Sequence, residues 1–205
     1  MYIICSDLEG IYTPEIWINV SEKTGIEKLK LTTRDISDYD VLMKGRLALL
    51  HEHKLKLKDI QEVIEQLKPL PGAKEFLAWL RSGYQLIIVS DTFREFAGPL
   101  MAQLEYPTLL CHHLTTDKEG TITGYNLRQP DAKRMVVKAL QELKYKVIAI
   151  GDSYNDLSML RQADRAILFR PPQNVINENP DLPYVTLYEE LKAKILSLTS
   201  DERED

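Results

Sequence analysis

Two carboxylates follow the first apolar run of the chain at close spacing. The run is YIICS at residues 2–6, and Asp7 and Glu9 come after it two positions apart, with Gly10 behind them. Side chains two apart in an extended segment point to the same side, so the two acids would face each other. Carboxylates that face one another disfavour ionisation unless a cation lies among them. The spacing of Asp7 and Glu9 therefore indicates a functional site in which the two charged side chains take part in binding or catalysis.

Polar side chains follow two later apolar runs, YQLIIVS at 84–90 and KVIAIG at 146–151. The polar residues at the ends of these two runs are Ser90, Asp91, Thr92, Asp152, Asn155 and Asp156. Lys133 lies in the first turn of the helix predicted before the second of these runs, where it can reach the same place. A cluster of carboxylates with one lysine favours a hard divalent cation, and oxygen ligands with retained waters suit Mg²⁺.

Asp7 is the candidate nucleophile of this constellation. A carboxylate can attack phosphorus and form an aspartyl phosphate, which divides one difficult displacement into two easier ones. Lys133 and a metal ion would neutralise the phosphoryl oxygens, and Ser90 with the backbone N–H groups up to Thr92 would hydrogen-bond them. Glu9 can protonate the leaving alkoxide and then activate water.

The elements that must position these residues alternate between strands and helices. Strands are predicted at 2–6, 84–90, 146–151 and 166–169, and helices at 72–83, 131–143 and 155–163. Such alternation is typical of an α/β fold with a doubly wound, Rossmann-like parallel sheet. Ligands bind beyond the carboxyl ends of the strands of such sheets, which is where the polar residues lie.

Residues 14–70 interrupt this alternation with helical patterns and no convincing strand. Pro14 is typical of a first helical turn, and further helices are predicted at 38–53 and 57–67. We therefore expect a helical cap at 14–70, inserted after the first strand into a core formed by 1–13 and 71–205. The segment GTITGYNLR at 120–128 is typical of a hairpin or flap.

The composition narrows the classes of partner. The chain has 205 residues, 44% of them apolar and 28% charged, with a net charge of −5. No basic field is available to attract nucleic acid or an anionic membrane, and no leader or spanning segment is evident, so we expect a cytoplasmic protein. Cys5 and Cys111 lie in apolar runs and are expected to be reduced, buried thiols. The sequence does not decide between a monomer and a homodimer.

Four motifs resemble those of the haloacid dehalogenase-like phosphatase superfamily. They are DLEG, VSDT, Lys133 and GDSYND, in the expected order across residues 7–156. The resemblance implies that Asp7 is the nucleophile, that Ser90 binds phosphate and that Lys133 stabilises charge. It also implies a metal site made by Asp152 and Asp156, with Mg²⁺ coordinated by Asp7, by the backbone carbonyl of Glu9 and by Asp152.

The cap resembles that of phosphoserine phosphatases, in which a glutamate reads the substrate ammonium group and an arginine reads its carboxylate. Glu15 and Arg46 match these positions. From the residues alone, Arg46 could instead lie on a solvated face of an amphipathic helix, and Glu15 could interact with a helix dipole in a first turn. Asp91 could contact the substrate ammonium group or cap the next helix.

The chain is also similar, from residue 1 to about 195, to the subgroup of bifunctional phosphoserine phosphatase and phosphoserine:homoserine phosphotransferase. The segments that carry this similarity are CSDLEGIYTPEIW, TTRDISDYDVLMKGR and SDTFREF. Members of this subgroup have Glu at position 9, where most phosphatases of the superfamily have Asp, and the longer side chain moves the acid by about 1.5 Å. The implied substrates are L-phosphoserine and L-homoserine.

Three other interpretations compete with this one. The chain could be a phosphatase for another small phosphate ester, or a non-enzymatic receiver domain, which also clusters acids and a lysine on a doubly wound sheet. The histidines at 51, 53, 112 and 113 could bind a metal, but their spacing is poor for ligands. Adjacent residues such as His112 and His113 would face opposite sides of a strand.

Overall fold

The computed structural model describes residues 1–32, 35–36 and 38–200. Its helices and strands, in chain order, are β1 (Tyr2–Ser6), α1 (Ile16–Thr24), α2 (Tyr39–Glu52), α3 (Leu57–Glu65), α4 (Ala73–Gly83), β2 (Gln85–Phe93), α5 (Arg94–Gln103), β3 (Leu109–Thr116), β4 (Ile122–Asn126), α6 (Ala132–Glu142), β5 (Lys146–Gly151), α7 (Leu157–Gln162), β6 (Arg165–Phe169), α8 (Gln173–Glu178), β7 (Tyr184–Val185) and α9 (Tyr188–Leu198). Short 3₁₀ helices at Glu27–Lys30 and Tyr154–Asp156 complete the elements.

Within these residues, seven strands form one sheet in the order β4-β3-β2-β1-β5-β6-β7. All neighbouring pairs are parallel except β3 and β4, which form an antiparallel pair. The predicted α/β class with a doubly wound parallel sheet is confirmed. Since β1 lies between β2 and β5, the carboxyl ends of these three strands meet at one place, as the sequence predicted.

Both faces of the sheet are buried, which explains the near-continuous apolar strands. Tyr2 and Ile4 of β1 join a core with residues of α4, α5 and α9, whereas Ile3 and Cys5 join a second core with α6, α7 and α8. Alternate side chains of one strand thus serve opposite faces. Burial raises the pKa of the free thiol of Cys5 to about 12 and that of Cys111 to about 11. Cys111 is only half-buried, contrary to expectation.

The region between β1 and α4 is helical, as expected, and it is not a separate core. Ile16 of α1, Met43 of α2 and Ile60 of α3 belong to the same apolar cluster as Ile4 of the central strand. The cap boundaries at 14 and 70 stay a prediction. None of the helices in the described part of the chain is long and apolar enough to cross a bilayer.

Several element predictions were wrong in detail. The prediction of four strands missed β3 and β7, and the hairpin predicted at 120–128 exists because β4 pairs with the missed β3. Helix α1 begins at Ile16, so Pro14 precedes it and Glu15 is its N-cap residue, without a side-chain cap. The helix predicted at 155–163 is shorter, since its first residues form the 3₁₀ turn before α7.

Strand β2 is longer than predicted and continues through Ser90, Asp91 and Thr92 to Phe93. Its pairing with β3 shifts in register, because Val89 pairs with Leu110 but Phe93 pairs with His112. Four steps along β2 therefore match two along β3. A bulge of this kind bends the strand and redirects its side chains, and here it lies where the polar residues of the site are.

Candidate active site

Asp7 is fixed at the carboxyl end of the central strand. Its backbone N–H donates to the carbonyl of Ile150 at 2.9 Å, and its Oδ1 accepts from the N–H of Leu8 at 2.7 Å. Oδ1 also lies 3.0 Å from Nζ of Lys133, and Asp7 is only 4% exposed. Burial raises the pKa of Asp7 well above its usual value, against the opposing effect of Lys133.

Lys133 is buried among three carboxylates. Its Nζ lies 2.7 Å from Oδ1 of Asp156, 3.0 Å from Oδ1 of Asp7 and 3.7 Å from Oδ2 of Asp91. Burial disfavours the charged ammonium group, but the three acids outweigh it and raise the pKa of Lys133 well above its usual value. The first turn of α6 therefore delivers a fixed positive charge to Asp7, as the sequence predicted.

Asp156 braces the turn after β5. Its Oδ2 accepts from the backbone N–H groups of Asp152 at 2.9 Å and Ser153 at 3.2 Å, while its Oδ1 accepts from Lys133. The side chain is fully buried. These contacts hold Asp152 beside Asp7.

Asp7, Asp152 and Asp156 form an acidic group whose ligand oxygens lie within 4.8 Å of one another. Burial first, and then the charges of Asp156 and Glu15, raise the pKa of Asp152 to about 7. Three carboxylates opposed to one lysine leave excess negative charge, and hard oxygen donors are the ligands of Mg²⁺, so this group fits a divalent cation. The carboxylate of Glu9 is not part of the group, and a contribution from its backbone carbonyl stays a prediction.

Gly10 makes room for this acidic group. Its φ is +75°, and a Cβ atom at this position would lie 2.5 Å from Oδ2 of Asp152. Only a residue without a side chain tolerates both the left-handed backbone and this close approach. The glycine of the DLEG motif is thus required at this position for steric reasons.

Glu9 is held by the start of α1. Its Oε2 accepts from the backbone N–H of Ile16 at 2.8 Å, which is the first N–H of α1. Burial, and then the negative charge of Glu15, raise the pKa of Glu9 to about 8. The raised pKa favours the protonated form of this acid, which can donate a proton.

The bulged part of β2 brings Ser90, Asp91 and Thr92 to the same cavity. Ser90 and Thr92 are buried, and Oγ of Ser90 accepts from the N–H of Thr92 at 3.2 Å. Asp91 does not cap α5. Its Oδ2 accepts from Nδ2 of Asn155 at 3.0 Å, and its Oδ1 lies 3.4 Å from Nε2 of His112.

His112 contacts Asp91 of the site, a role that the sequence interpretation did not assign to it. It is buried, while His113 on the other side of β3 is exposed, as the strand argument predicted. Nδ1 of His112 accepts from the backbone N–H of Arg128 at 3.0 Å, so its proton is on Nε2 and points to Asp91. Burial works against the ionised form of Asp91, but Lys133, His112 and Asn155 outweigh it and hold the pKa of Asp91 below its usual range.

Arg46 lies in α2, with 8% exposure. Its guanidinium stacks over the ring of Trp17 at 4.6 Å, and one terminal nitrogen donates to the carbonyl of Leu31 at 2.8 Å. Nε of Arg46 is buried and has no hydrogen-bond partner among residues 1–32, 35–36 and 38–200. Burial lowers the pKa of Arg46 to about 10, which still leaves it charged at neutral pH.

One cavity of about 290 Å³ joins these groups, and we call it the acidic cavity. It is lined by Asp7, Glu9, Glu15, Trp17, Ile18, Thr32, Tyr39, Leu42, Arg46, Ser90, Asp91, Thr92, Ser153, Tyr154 and Asn155. The fold therefore brings the predicted sheet-edge residues and the two predicted cap residues to one place. Lys133, Asp152 and Asp156 lie behind this lining, in contact with Asp7 or with one another.

Known proteins resemble this chain in sequence and in fold. A family model described as haloacid dehalogenase-like hydrolase matches residues 10–164. The phosphoserine phosphatase ThrH of Pseudomonas aeruginosa is 59% identical over 200 residues, which cover 98% of each chain. A phosphoserine phosphatase of Pseudomonas syringae pv. tomato is 57% identical, over 98% of this chain and 84% of the relative.

Solved structures show the same fold. An apo phosphoserine phosphatase superimposes with a TM-score of 0.75 at 21% identity, and a phospho-aspartyl intermediate analogue of phosphoserine phosphatase superimposes with 0.73 at 21%. Each match covers 93% of this chain and 97% of the other. With the family match and the Pseudomonas relatives, these findings establish that the chain belongs to the haloacid dehalogenase-like hydrolase family.

Proposed function

We propose that this protein is a Mg²⁺-dependent phosphoserine phosphatase that can also act as a phosphotransferase. It removes phosphate from L-phosphoserine through an aspartyl phosphate on Asp7 and passes it to water or to the hydroxyl group of L-homoserine. The two Pseudomonas relatives named phosphoserine phosphatase support the hydrolytic activity. The transfer activity and the metal rest on the residues of the site.

A single observation carries the choice of substrate. The cavity that contains Asp7 also contains a buried arginine with an unpartnered Nε among the described residues, together with the carboxylate of Glu15. Phosphoserine has a phosphate at one end and a carboxylate and an ammonium group at the other. Arg46 can bind the carboxylate through its planar guanidinium, and Glu15 can bind the ammonium group.

The first step transfers the phosphoryl group to the protein. An oxygen of Asp7 bonds to phosphorus as the bond between phosphorus and the serine oxygen breaks. Among the described residues, the Asp7 carboxylate contacts Leu8 and Lys133 through Oδ1, so Oδ2 is the oxygen for this attack. Glu9 gives its proton to the serine oxygen, so that serine leaves as an alcohol.

The second step reverses these roles. The Glu9 carboxylate takes a proton from water or from the homoserine hydroxyl group, whose oxygen bonds to phosphorus and releases Asp7. Lys133 stays charged throughout, and Ser90 with the N–H groups up to Thr92 binds the phosphoryl oxygens. Asp7, Asp152 and Asp156 would hold Mg²⁺, with the Glu9 carbonyl, and the ion would neutralise charge on the phosphoryl group.

The longer acid at position 9 bears on the choice of acceptor. Water needs only a position within reach of the acid at residue 9, whereas an alcohol acceptor must also be held by protein groups that bind the rest of the molecule. Homoserine is an amino acid and can use Arg46 and Glu15 after serine has left. We propose the helices between residues 14 and 70 as the cap that supplies these two contacts.

The test is product analysis from L-phosphoserine at rising L-homoserine concentration, following free phosphate and phosphohomoserine together. Phosphohomoserine should rise as free phosphate falls, and EDTA should stop both reactions until Mg²⁺ is restored. Asp7→Asn should abolish both; full activity in that variant would refute the covalent mechanism.

Other small phosphate esters are the remaining alternative. Phosphothreonine and sugar phosphates, assayed beside phosphoserine, would reveal a different preference if one of them has the highest kcat/KM. The receiver-domain interpretation loses its support, because the family match and the relatives are hydrolases.

A further inference from the structure

A second cavity of about 390 Å³ lies beside the acidic cavity, and we call it the side cavity. Its lining includes Leu127 and Gln129 from the segment between β4 and α6, together with Lys133. Four residues line both cavities: Tyr39, Asp91, Tyr154 and Asn155. These four residues are therefore a wall that the two spaces have in common.

Asp91 is the centre of this wall. Its carboxylate contacts Asn155 at 3.0 Å and His112 at 3.4 Å, and its backbone carbonyl accepts from the hydroxyl group of Tyr39 at 3.3 Å. The wall thus joins β2, β3, α2 and the turn after β5. Because the oxygens of Asp91 face Asn155, His112 and Lys133, the carboxylate is held as part of the protein and is not free to bind a substrate ammonium group.

We infer that Asp91 is a specificity-determining residue that closes the acidic cavity toward the side cavity and so restricts the enzyme to phosphate esters with small leaving groups. This inference rests on the proposed function, since it concerns which esters can place phosphorus beside Asp7. Removal of the side chain would join the two spaces. A leaving group too large for the acidic cavity could then extend into the side cavity.

The charge of Asp91 must be separated from its volume. Asp91→Asn keeps the size of the side chain and an oxygen for His112, but removes the negative charge near Lys133. Asp91→Ala removes both the charge and the wall. If the wall sets specificity, only Asp91→Ala should widen the substrate range, while both variants change the electrostatics around Lys133 in the same direction.

The measurement is the ratio of kcat/KM for 1-naphthyl phosphate to kcat/KM for phosphoserine, the small ester. We expect Asp91→Ala to raise this ratio by about tenfold or more, the scale on which pocket size discriminates between substrates. Asp91→Asn should stay within about twofold of the unmodified protein. If Asp91→Ala does not fold, Asp91→Ser serves in its place, with thermal unfolding as the check.

A second-site variant supplies an independent test. Leu127 is 43% exposed and lines the side cavity away from the reacting groups. Leu127→Trp should leave phosphoserine turnover unchanged, yet in the Asp91→Ala background it should fill the side cavity and cancel the gain with 1-naphthyl phosphate. A merely structural role of Asp91 would not produce such a cancellation.

The outcomes distinguish this inference from the proposed function. An equal rise of the ratio in Asp91→Asn, no rise in folded Asp91→Ala, or no cancellation by Leu127→Trp would each overturn the role of the wall, even if the unmodified protein hydrolyses phosphoserine. Absence of phosphoserine hydrolysis in the unmodified protein would overturn the proposed function. The ratio is then measured against phosphoethanolamine, and its response to the variants still decides the role of Asp91.

Discussion

The two sides of the acidic cavity differ in how completely their charges are paired. On the sheet side, Lys133 contacts three carboxylates, and both oxygens of Asp156 accept hydrogen bonds. On the side of the helices between β1 and α4, which we call the cap side, Nε of Arg46 is buried without a partner among the described residues, and Glu15 is exposed. The charged groups named on the sheet side are thus paired within the protein, whereas Arg46 on the cap side keeps unused hydrogen-bonding capacity.

This difference separates two tasks. Charges that must stabilise a reacting phosphoryl group work best when the protein holds them in place before the substrate arrives. Groups that recognise a substrate must instead keep hydrogen-bonding capacity for it, since an unpaired buried donor costs free energy until a partner comes. We propose that the sheet side serves the first task and the cap side the second.

The largest effect is expected from Lys133→Met, which removes the cation that pairs the carboxylates of the sheet side. The variant leaves Asp7, Asp91 and Asp156 without their common cation. We expect kcat to fall by about 10³-fold, and the free energy of unfolding to fall by about 3 kcal/mol, because buried charges lose their partner. Phosphate release and urea unfolding measure the two effects.

Lys138→Met is the matched control, since Lys138 lies on the same helix and is exposed. It should change neither quantity measurably. A Lys133→Met protein as active and as stable as this control would show that the sheet side is not organised around the lysine.

Arg46→Met tests the cap side and should affect substrate binding more than the rate of the chemical step. Loss of a charge-assisted contact of about 2 kcal/mol would raise KM for phosphoserine by about 30-fold, with a smaller change in kcat. Phosphoethanolamine lacks only the carboxylate of phosphoserine, so its KM should hardly change. A similar loss with both substrates would mean that Arg46 supports the cavity and does not read the carboxylate.

The sheet side could be predicted from the sequence because its signals are local. Asp7 and Asp152 follow directly on Ile- and Val-rich strands, and Lys133 follows the start of a helix by one residue. The rule that parallel strands end at one edge then brings them together. Neither the pairing distances nor the roles of single oxygens were needed for that step.

The remaining features depend on contacts between distant residues. Strand β3, with the sequence LLCHHLTT, mixes polar and apolar residues, so it was not among the four predicted strands, and the contact of His112 with Asp91 was not evident. The start of α1 at Ile16 is marked by the carboxylate of Glu9, which accepts the first N–H of the helix from seven residues away. No periodic pattern reports such a contact.

A moderate effect is expected from Gly10→Ala, which introduces a steric overlap on the sheet side without removing a charge. The new Cβ atom would meet Oδ2 of Asp152 at 2.5 Å. We expect the Mg²⁺ concentration for half-maximal activity to rise about tenfold, as when a group that orients a metal ligand is changed. A titration of activity with Mg²⁺ measures this.

Gly25→Ala separates backbone strain from the close contact. Gly25 has a similar φ of +73°, but a Cβ atom there would meet nothing within 4 Å. Both variants should lose stability because of the left-handed backbone, while only Gly10→Ala should need more Mg²⁺. Equal Mg²⁺ requirements would indicate that Asp152 moves aside without consequence for the metal.

The smallest effect is expected from Glu15→Gln, because Glu15 is exposed and water already screens its charge. KM for phosphoserine should rise about threefold, whereas KM for 3-phosphoglycerate, which has a hydroxyl group where phosphoserine has its ammonium group, should not rise. Glu22→Gln, at an exposed position of α1, which follows Glu15, removes the same charge from the protein and should affect neither substrate. An effect of Glu15→Gln as large as that of Arg46→Met would mean that the cap closes over the substrate and buries Glu15. The contrast between the two sides would then hold only for the free enzyme, since both would be fully paired once phosphoserine is bound.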